Sequence, residues 1–358
     1  MNRVILLLIL SQIVTQAEDV FYGESNLHAF LPQSGKVNIN AGFELVNDTV
    51  DILNIKESEL GSNSSGVNSI GDMKGINLNV GYTINDKWYT NMTLNQKELQ
   101  YSGTTLKNQN LDIYLRYQFY QSQDLSFAID GGYKMNIASD SYVNDLHTIN
   151  KILKNIAPNK KISLSQTGSK QTLVYQGDDG SIKTIDLKNR AYLAIVDTKD
   201  KGLYGRAIVS VKKDKWLFDA YGSYAEVDIE NRTDSSIIHE DNADLQQELG
   251  DIGLSQKRVD GILSSGINFG YYFDKWYPEF NYQYNYIFRI AGLKKNTVNH
   301  IFNLNVSYIV NQNTGVYLGA KLMLNQFNGK IPYLYEKYSE SSFSHKYGYL
   351  NAGLLYKF

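Results

Sequence analysis

Cysteine is absent from the 358-residue chain. Its absence excludes a disulfide framework, a thiol nucleophile and a thiolate metal site. An excess of either charge is lacking too: 35 Lys and Arg stand against 37 Asp and Glu, a formal net charge of −2. So even a balance supplies no general affinity for nucleic acid or anionic surfaces. Gly-rich phosphate loops and metal-binding His spacings are also missing, so no cofactor and no metal are expected. Long apolar runs are confined to the start, and the mean hydropathy of −0.35 is that of a water-soluble chain.

The run at the start is MNRVILLLILSQIVTQAED. Arg3 supplies a positive beginning, Val4 to Leu10 an apolar core, and Thr15-Gln16-Ala17 a small-residue cleavage site. The pattern is that of a secretory signal peptide, too short for a comfortable helical span. Residues 1–17 are expected to be removed and the mature chain, 18–358, to begin near Glu18.

What the chain has in plenty is alternation. In FDKWYPEFNYQYNYIFRI, Trp276, Pro278, Phe280, Tyr282, Tyr284, Tyr286, Phe288 and Ile290 fall on every second position. Between them stand Glu279, Asn281, Gln283, Asn285 and Arg289, with Tyr277 and Ile287. A period of two places one greasy and one wet face on an extended strand. The same pattern predicts twelve strands: 37–46, 76–84, 88–99, 110–120, 125–137, 203–212, 216–229, 259–273, 276–290, 298–310, 315–326 and 346–358. Short connections (NDK, QSQD, KDK, DK, NQNT) alternate with longer, more polar ones. An even strand count with short turns at one end describes an all-β transmembrane antiparallel up-and-down barrel, its short turns periplasmic and its longer loops extracellular. A count of fourteen, using 19–31 and part of a long insert, stays open.

The three Trp residues support that orientation. Each follows Asp-Lys at a short turn, as Trp88, Trp216 and Trp276. Indole rings favour the membrane–water interface, so these three predict an aromatic girdle on the periplasmic rim. The last segment, YGYLNAGLLYKF, carries Leu350, Ala352, Leu354, Tyr356 and the terminal Phe358 on one face. Here the chain resembles bacterial outer-membrane β-barrel proteins of the porin-like class. The resemblance implies export to the outer membrane of a Gram-negative cell. It also implies that Leu354, Tyr356 and Phe358 are read by the barrel-assembly machinery, and that lipid and lipopolysaccharide surround the wall. It names no specific family.

On this reading the greasy face meets lipid and the polar face lines the interior. Candidate pore-lining residues are Lys97, Asp112, Arg116, Asp130, Lys134, Arg206, Asp219, Glu279, Arg289 and Lys321. A hairpin register in which residue numbers sum to 246 places Arg116 opposite Asp130 and Asp112 opposite Lys134. With Glu44 added on the acidic side, the lumen is expected to be slightly cationic and to favour anions. Many lumen positions are small or medium, including Asn40, Gly42, Asn79, Gly81, Gly132 and Gly266, which predicts open space.

The stretch 138–202 is a long insert, extracellular or folded into the lumen. It holds a helix-like piece at His147–Pro158 and a hairpin turning at Gly177-Asp178-Asp179-Gly180. It is expected to cap, constrict or bind. The acidic loop 230–258, with His239, Glu240, Asp241, Asp244 and Glu248, offers a contact for cations or lipopolysaccharide, though solvated charge is the simpler reading. Hydrolases on such barrels need a specific rim constellation. Asp145 and His147 form a lone D-x-H, Glu226, Asp228 and Glu230 offer carboxylates, and adjacent Ser344 and His345 would face opposite ways. The expected role is therefore passive passage of small hydrophilic solutes or ions, without catalysis. A non-conducting barrel that binds through its loops is the alternative, and a rim hydrolase a minor one.

Overall fold

The computed structural model describes residues 27–46, 70–101, 104–143, 146, 149–150, 153, 161–236, 255–291, 296–324 and 347–358. Twelve long strands form its wall. They are β1 (Val37–Val46), β2 (Ile70–Asn85), β3 (Trp88–Tyr101), β4 (Thr104–Gln121), β5 (Leu125–Ala138) and, after three short strands and a linker strand, β10 (Leu193–Lys213). The circuit continues through β11 (Trp216–Ser235), β12 (Ser255–Tyr271), β13 (Trp276–Ala291), β14 (Asn296–Ile309), β15 (Thr314–Leu324) and β16 (Tyr347–Lys357). Each pairs antiparallel with its neighbours, and β16 returns to β1 through Asn38↔Lys357 to Leu45↔Leu350. No edge remains in the wall, as hydrocarbon surroundings require. The wall therefore has twelve strands, and the fourteen-strand alternative is corrected: 27–29 lie inside the barrel, and the insert builds a sheet of its own.

The outward faces are apolar over a limited height. On β3 the band runs from Trp88 through Met92 to Leu94 and gives way to Gln96 and Glu98. On β11 it runs from Trp216 to Tyr224, above which Glu226, Asp228 and Glu230 face out while Ala225, Val227 and Ile229 pack inside. This inversion marks where the wall leaves the bilayer. A bilayer needs only ~9–11 residues per strand, so the 21 residues of β10 and 20 of β11 project beyond it. The expected start of β10 at 203 is corrected to Leu193, and the insert shortens to 139–192.

Inside the insert are β6 (Ser141–Val143), β7 (Ser163–Thr167), β8 (Lys170–Gln176) and β9 (Ile182–Asp186). The last three form a separate antiparallel sheet turning at Gly177–Gly180, with Gly180 at φ +79°. Ile149 and Leu153, helical and four apart, bury against Ile162, Leu173 and Tyr175. The insert thus carries its own apolar core, and none of its described residues lines the lumen cavity.

Short turns end the strands at the opposite rim. Asp214 (φ +53°) and Asp274 (φ +54°) take the left-handed conformation ahead of Lys-Trp, which Asp tolerates better than most residues. Trp88, Trp216 and Trp276 all face outward there, and each ring rests on a cross-strand tyrosine. The centroid distances are 4.7 Å to Tyr117, 4.2 Å to Tyr271 and 4.7 Å to Tyr308. Leu354, Tyr356 and Phe358 lie exposed on the lipid face of β16.

Candidate functional site

The barrel interior is the site, and its wall divides into two arcs. On β4, β5, β10 and β11 the inward positions carry charge and aromatic rings. The 246 register holds: Arg116 stands opposite Asp130 and Asp112 opposite Lys134. Asp130 is the hub. Its carboxylate accepts from Arg116 Nε (2.7 Å) and Nη2 (3.1 Å), and from Arg206 Nε (2.7 Å). Both guanidinium groups lie over the Tyr114 ring, at 5.3 and 5.2 Å. Tyr204 donates to Asp112 at 2.8 Å. Lys97 pairs with Glu44 and lies 4.6 Å over the Tyr349 ring, which Lys321 approaches at 6.0 Å. Among the expected lumen charges, Arg116 and Arg206 are therefore bound to Asp130, and Lys97 to Glu44. Lys97, Arg116, Asp130, Asp219, Glu279 and Lys321 are all buried at inward positions. Of Arg289, only the backbone pairing with Asp260 is described.

The other arc, from β13 and β14 through β16 to β3, is a ladder of carboxamides. Asn79 and Asn91 exchange side-chain hydrogen bonds at 2.9 and 3.0 Å, and Asn79 also donates to Thr93 at 2.7 Å. Asn303 donates to Asn281 at 3.3 Å, and Gln283 to Asn285 at 2.7 Å. On the far side a chain runs Asn95, Asn110, Asn136, Asp200 at 3.4, 2.6 and 2.6 Å. Between the arcs lies a cavity of about 320 Å³, lined among others by Asn40, Asn79, Asn281, Asn303, Tyr114, Tyr204, Tyr221 and Lys321.

The glycines expected to leave open space do something else. A Cβ at Gly81, Gly132 or Gly266 would collide with the ring of Tyr89, Tyr204 or Tyr221 respectively, and one at Gly42 with the Tyr317 hydroxyl. Tyr89, Tyr204 and Tyr221 lie along the wall over the glycine of the adjacent strand, and Tyr317 reaches Gly42 across β16. The open-space reading of those glycines is corrected: they seat tyrosines, which keeps the rings out of the centre.

Sequence reasoning missed a second element of the site. Residues 27–29 enter the lumen before β1 and dock against its periplasmic half. The Ala29 amide donates to Ser210 Oγ at 2.6 Å, and its carbonyl accepts from Gln118 (2.8 Å) and Ser126 (3.0 Å). Arg116 donates to the His28 carbonyl. His28 Nδ1 is 2.6 Å from Asp219, and its Nε2 is 3.9 Å from Glu279. Asn268 donates to both carboxylates, at 3.0 and 2.8 Å. Burial depresses the imidazole pKa, yet the Asp219 and Glu279 carboxylates outweigh it and raise the value above the ordinary 6.5. Leu27 and Ala29 pack on Ala128, Ile208 and Tyr221. Ala128 and Ile208 are apolar at inward positions of an otherwise polar stretch, and that mismatch is the one signal in the sequence. Leu27 also forms part of the cavity lining.

Asp145, His147, Ser344, His345 and the 237–254 part of the acidic loop, with His239, Glu240, Asp241, Asp244 and Glu248, lie outside the described residues, as do residues 1–17. Glu230 pairs with Lys199 (3.1 Å) and Lys257 (3.0 Å) on the outer rim. His300 faces lipid, where its Nδ1 is 2.9 Å from the Tyr282 hydroxyl. No group of three or more metal-binding side chains occurs among the described residues.

A closed wall of twelve antiparallel strands, apolar outside, polar inside and ringed by aromatics, defines the class: the chain is an outer-membrane β-barrel. A scan of protein-family models and a search of curated proteins found no match. Among solved structures, the translocator domain of the autotransporter NalP from Neisseria meningitidis aligns at 9% identity and TM-score 0.45, covering 98% of this chain and 95% of that one. The Pseudomonas putida toluene transporter TodX aligns at 9% and 0.44, covering 95% and 94%. The outer membrane protease OmpT from Escherichia coli aligns at 11% and 0.35, covering 90% and 97%. The assignment of class rests on the chain's own geometry.

Proposed function

We propose that the barrel passes small hydrophilic solutes across the outer membrane through its polar lumen, and that it performs no catalysis. The observation that carries this reading is the cavity of about 320 Å³ between the two arcs, walled mainly by amides, hydroxyls and charged groups. A barrel built only as a surface scaffold has no need to seat its lumen tyrosines on glycines and so preserve central space. Twelve strands enclose more than a side-chain-filled eight-stranded interior and less than a sixteen-stranded porin channel. The passage is accordingly narrow. Residues 27–29 narrow its periplasmic half further, so their docking sets the conductance more than the 139–192 insert does. In this reading lipid and lipopolysaccharide surround the wall, and the assembly machinery reads Leu354, Tyr356 and Phe358 during biogenesis.

Swelling of proteoliposomes tests the proposal. With the mature chain reconstituted, pentoses and hexoses are expected to enter several times faster than into protein-free vesicles, with disaccharides lagging. Equal rates in both, with folding confirmed by heat-modifiable gel mobility, would leave the non-conducting scaffold as the better account.

A further inference from the structure

We infer that the central cavity is a binding site for a neutral, polyhydroxylated ring such as a monosaccharide; this rests on the passage reading and gives it a substrate class. Three independent features of the wall converge on that chemistry.

The first is charge. Arg116 and Arg206 are engaged by Asp130, and Lys97 by Glu44. An ionic solute would give up hydration to enter a narrow space whose opposite charges are already satisfied, and desolvating a charge without a partner is costly. A neutral solute avoids that cost. Outside these pairs, the lining cations among the described residues are Lys134, opposite Asp112, and Lys321, 6.0 Å from the Tyr349 ring.

The second is the amide arc. Asn79 and Asn91 spend their N–H groups on each other, on Thr93 and on Tyr89, while Asn281 and Asn303 each keep an N–H outside their mutual hydrogen bond, all four held at fixed height. A hydroxyl is also both donor and acceptor, so vicinal hydroxyls exchange water for carboxamides one for one. A carboxylate can only accept and an ammonium only donate, so each leaves half of every rung unmatched.

The third is the position of the aromatic rings. Tyr204 and Tyr221 lie on β10 and β11, across the lumen from β13, β14 and β1–β3. Both are pressed against the wall over Gly132 and Gly266, and both line the cavity. A pyranose has hydroxyls around its edge and an apolar C–H face, so it meets amides with its edge and a tyrosine ring with its face. The cavity volume lies at the lower end of the ~300–1,000 Å³ typical of small-molecule sites, as a single ring requires.

The test is ion-current block in planar bilayers holding the full mature chain. Glucose added at millimolar concentration is expected to reduce the current reversibly and saturably, while size-matched gluconate and glucosamine block much more weakly. Asn281→Leu and Asn303→Leu should each raise the blocking concentration about two- to tenfold, the worth of one hydrogen bond. Tyr221→Leu should do the same. A current unaffected by glucose, or blocked equally by gluconate or glucosamine, overturns the sugar assignment and leaves passage intact. Glucose block that survives all three substitutions overturns the site. A folded barrel with no ion current removes both this inference and the passage on which it rests.

Discussion

Asp130 holds the buried Arg116 and the partly buried Arg206, and no other described carboxylate contacts both. Removing one partner of a buried ion pair leaves uncompensated charge, at about 3–5 kcal/mol. Asp130→Ala is expected to lower the stability of the refolded barrel by that order, measured by urea unfolding in lipid vesicles. A loss under 1 kcal/mol would mean that lumen water solvates the arginines and the hub is dispensable. The tyrosine–glycine contacts make a different demand. Gly132→Val places a side chain where the Tyr204 ring lies, so the ring must swing toward the axis. Overpacking of this kind costs about 1–3 kcal/mol, and single-channel current should fall with it. Unchanged current would show that the ring has another resting place along the wall. The charge pairs were legible from residue numbers, because a hairpin register fixes its partners by a constant sum. The tyrosine–glycine seats were not, because they depend on which way a ring leans across a neighbouring strand.

Among the elements, the docked stretch 27–29 carries the most consequence. It has no periodicity to read, and its hydrogen-bond partners lie between 88 and 191 residues away in sequence. Nothing local could have predicted it. Strand cores were legible throughout, because a lipid-facing band enforces strict alternation. The ends of β10, β11 and β4 were not, since beyond the bilayer the outer face turns polar and the alternation fades or inverts. Docking of 27–29 should depend on pH. The charged and titratable groups around His28 are Asp219, Glu279 and Arg116. Its pKa in the docked state is raised, so the protonated form favours docking. That stabilisation is complete below pH 6.5 and is lost as pH climbs through the raised value. Conductance is therefore expected to rise on the alkaline side, and His28→Ala should conduct well at every pH with the dependence gone. A pH response that persists in His28→Ala would assign the titration to another group. A mature chain beginning at Gln33, which lacks the stretch, should match the His28→Ala current; a smaller one would mean the stretch supports the wall rather than narrowing it.

At the scale of the whole molecule, closure into a barrel followed from the sequence by one physical step: apolar alternation in lipid leaves no tolerable strand edge. The rim that carries Trp and the sidedness of the loops came with it, and the strand count did so with twelve preferred and fourteen left open. The content of the lumen did not, because inward residues are polar in an open channel and in a filled barrel alike. The central claim is that the space between the amide and tyrosine arcs is a conducting path. Single-channel recording on the mature chain, beside Asn79→Trp and Asn281→Trp, tests it most directly. Stable unitary currents that fall severalfold in both variants, with folding intact by gel mobility, are the predicted result. Currents absent from the folded parent, or indifferent to indole rings placed in the cavity, would contradict it.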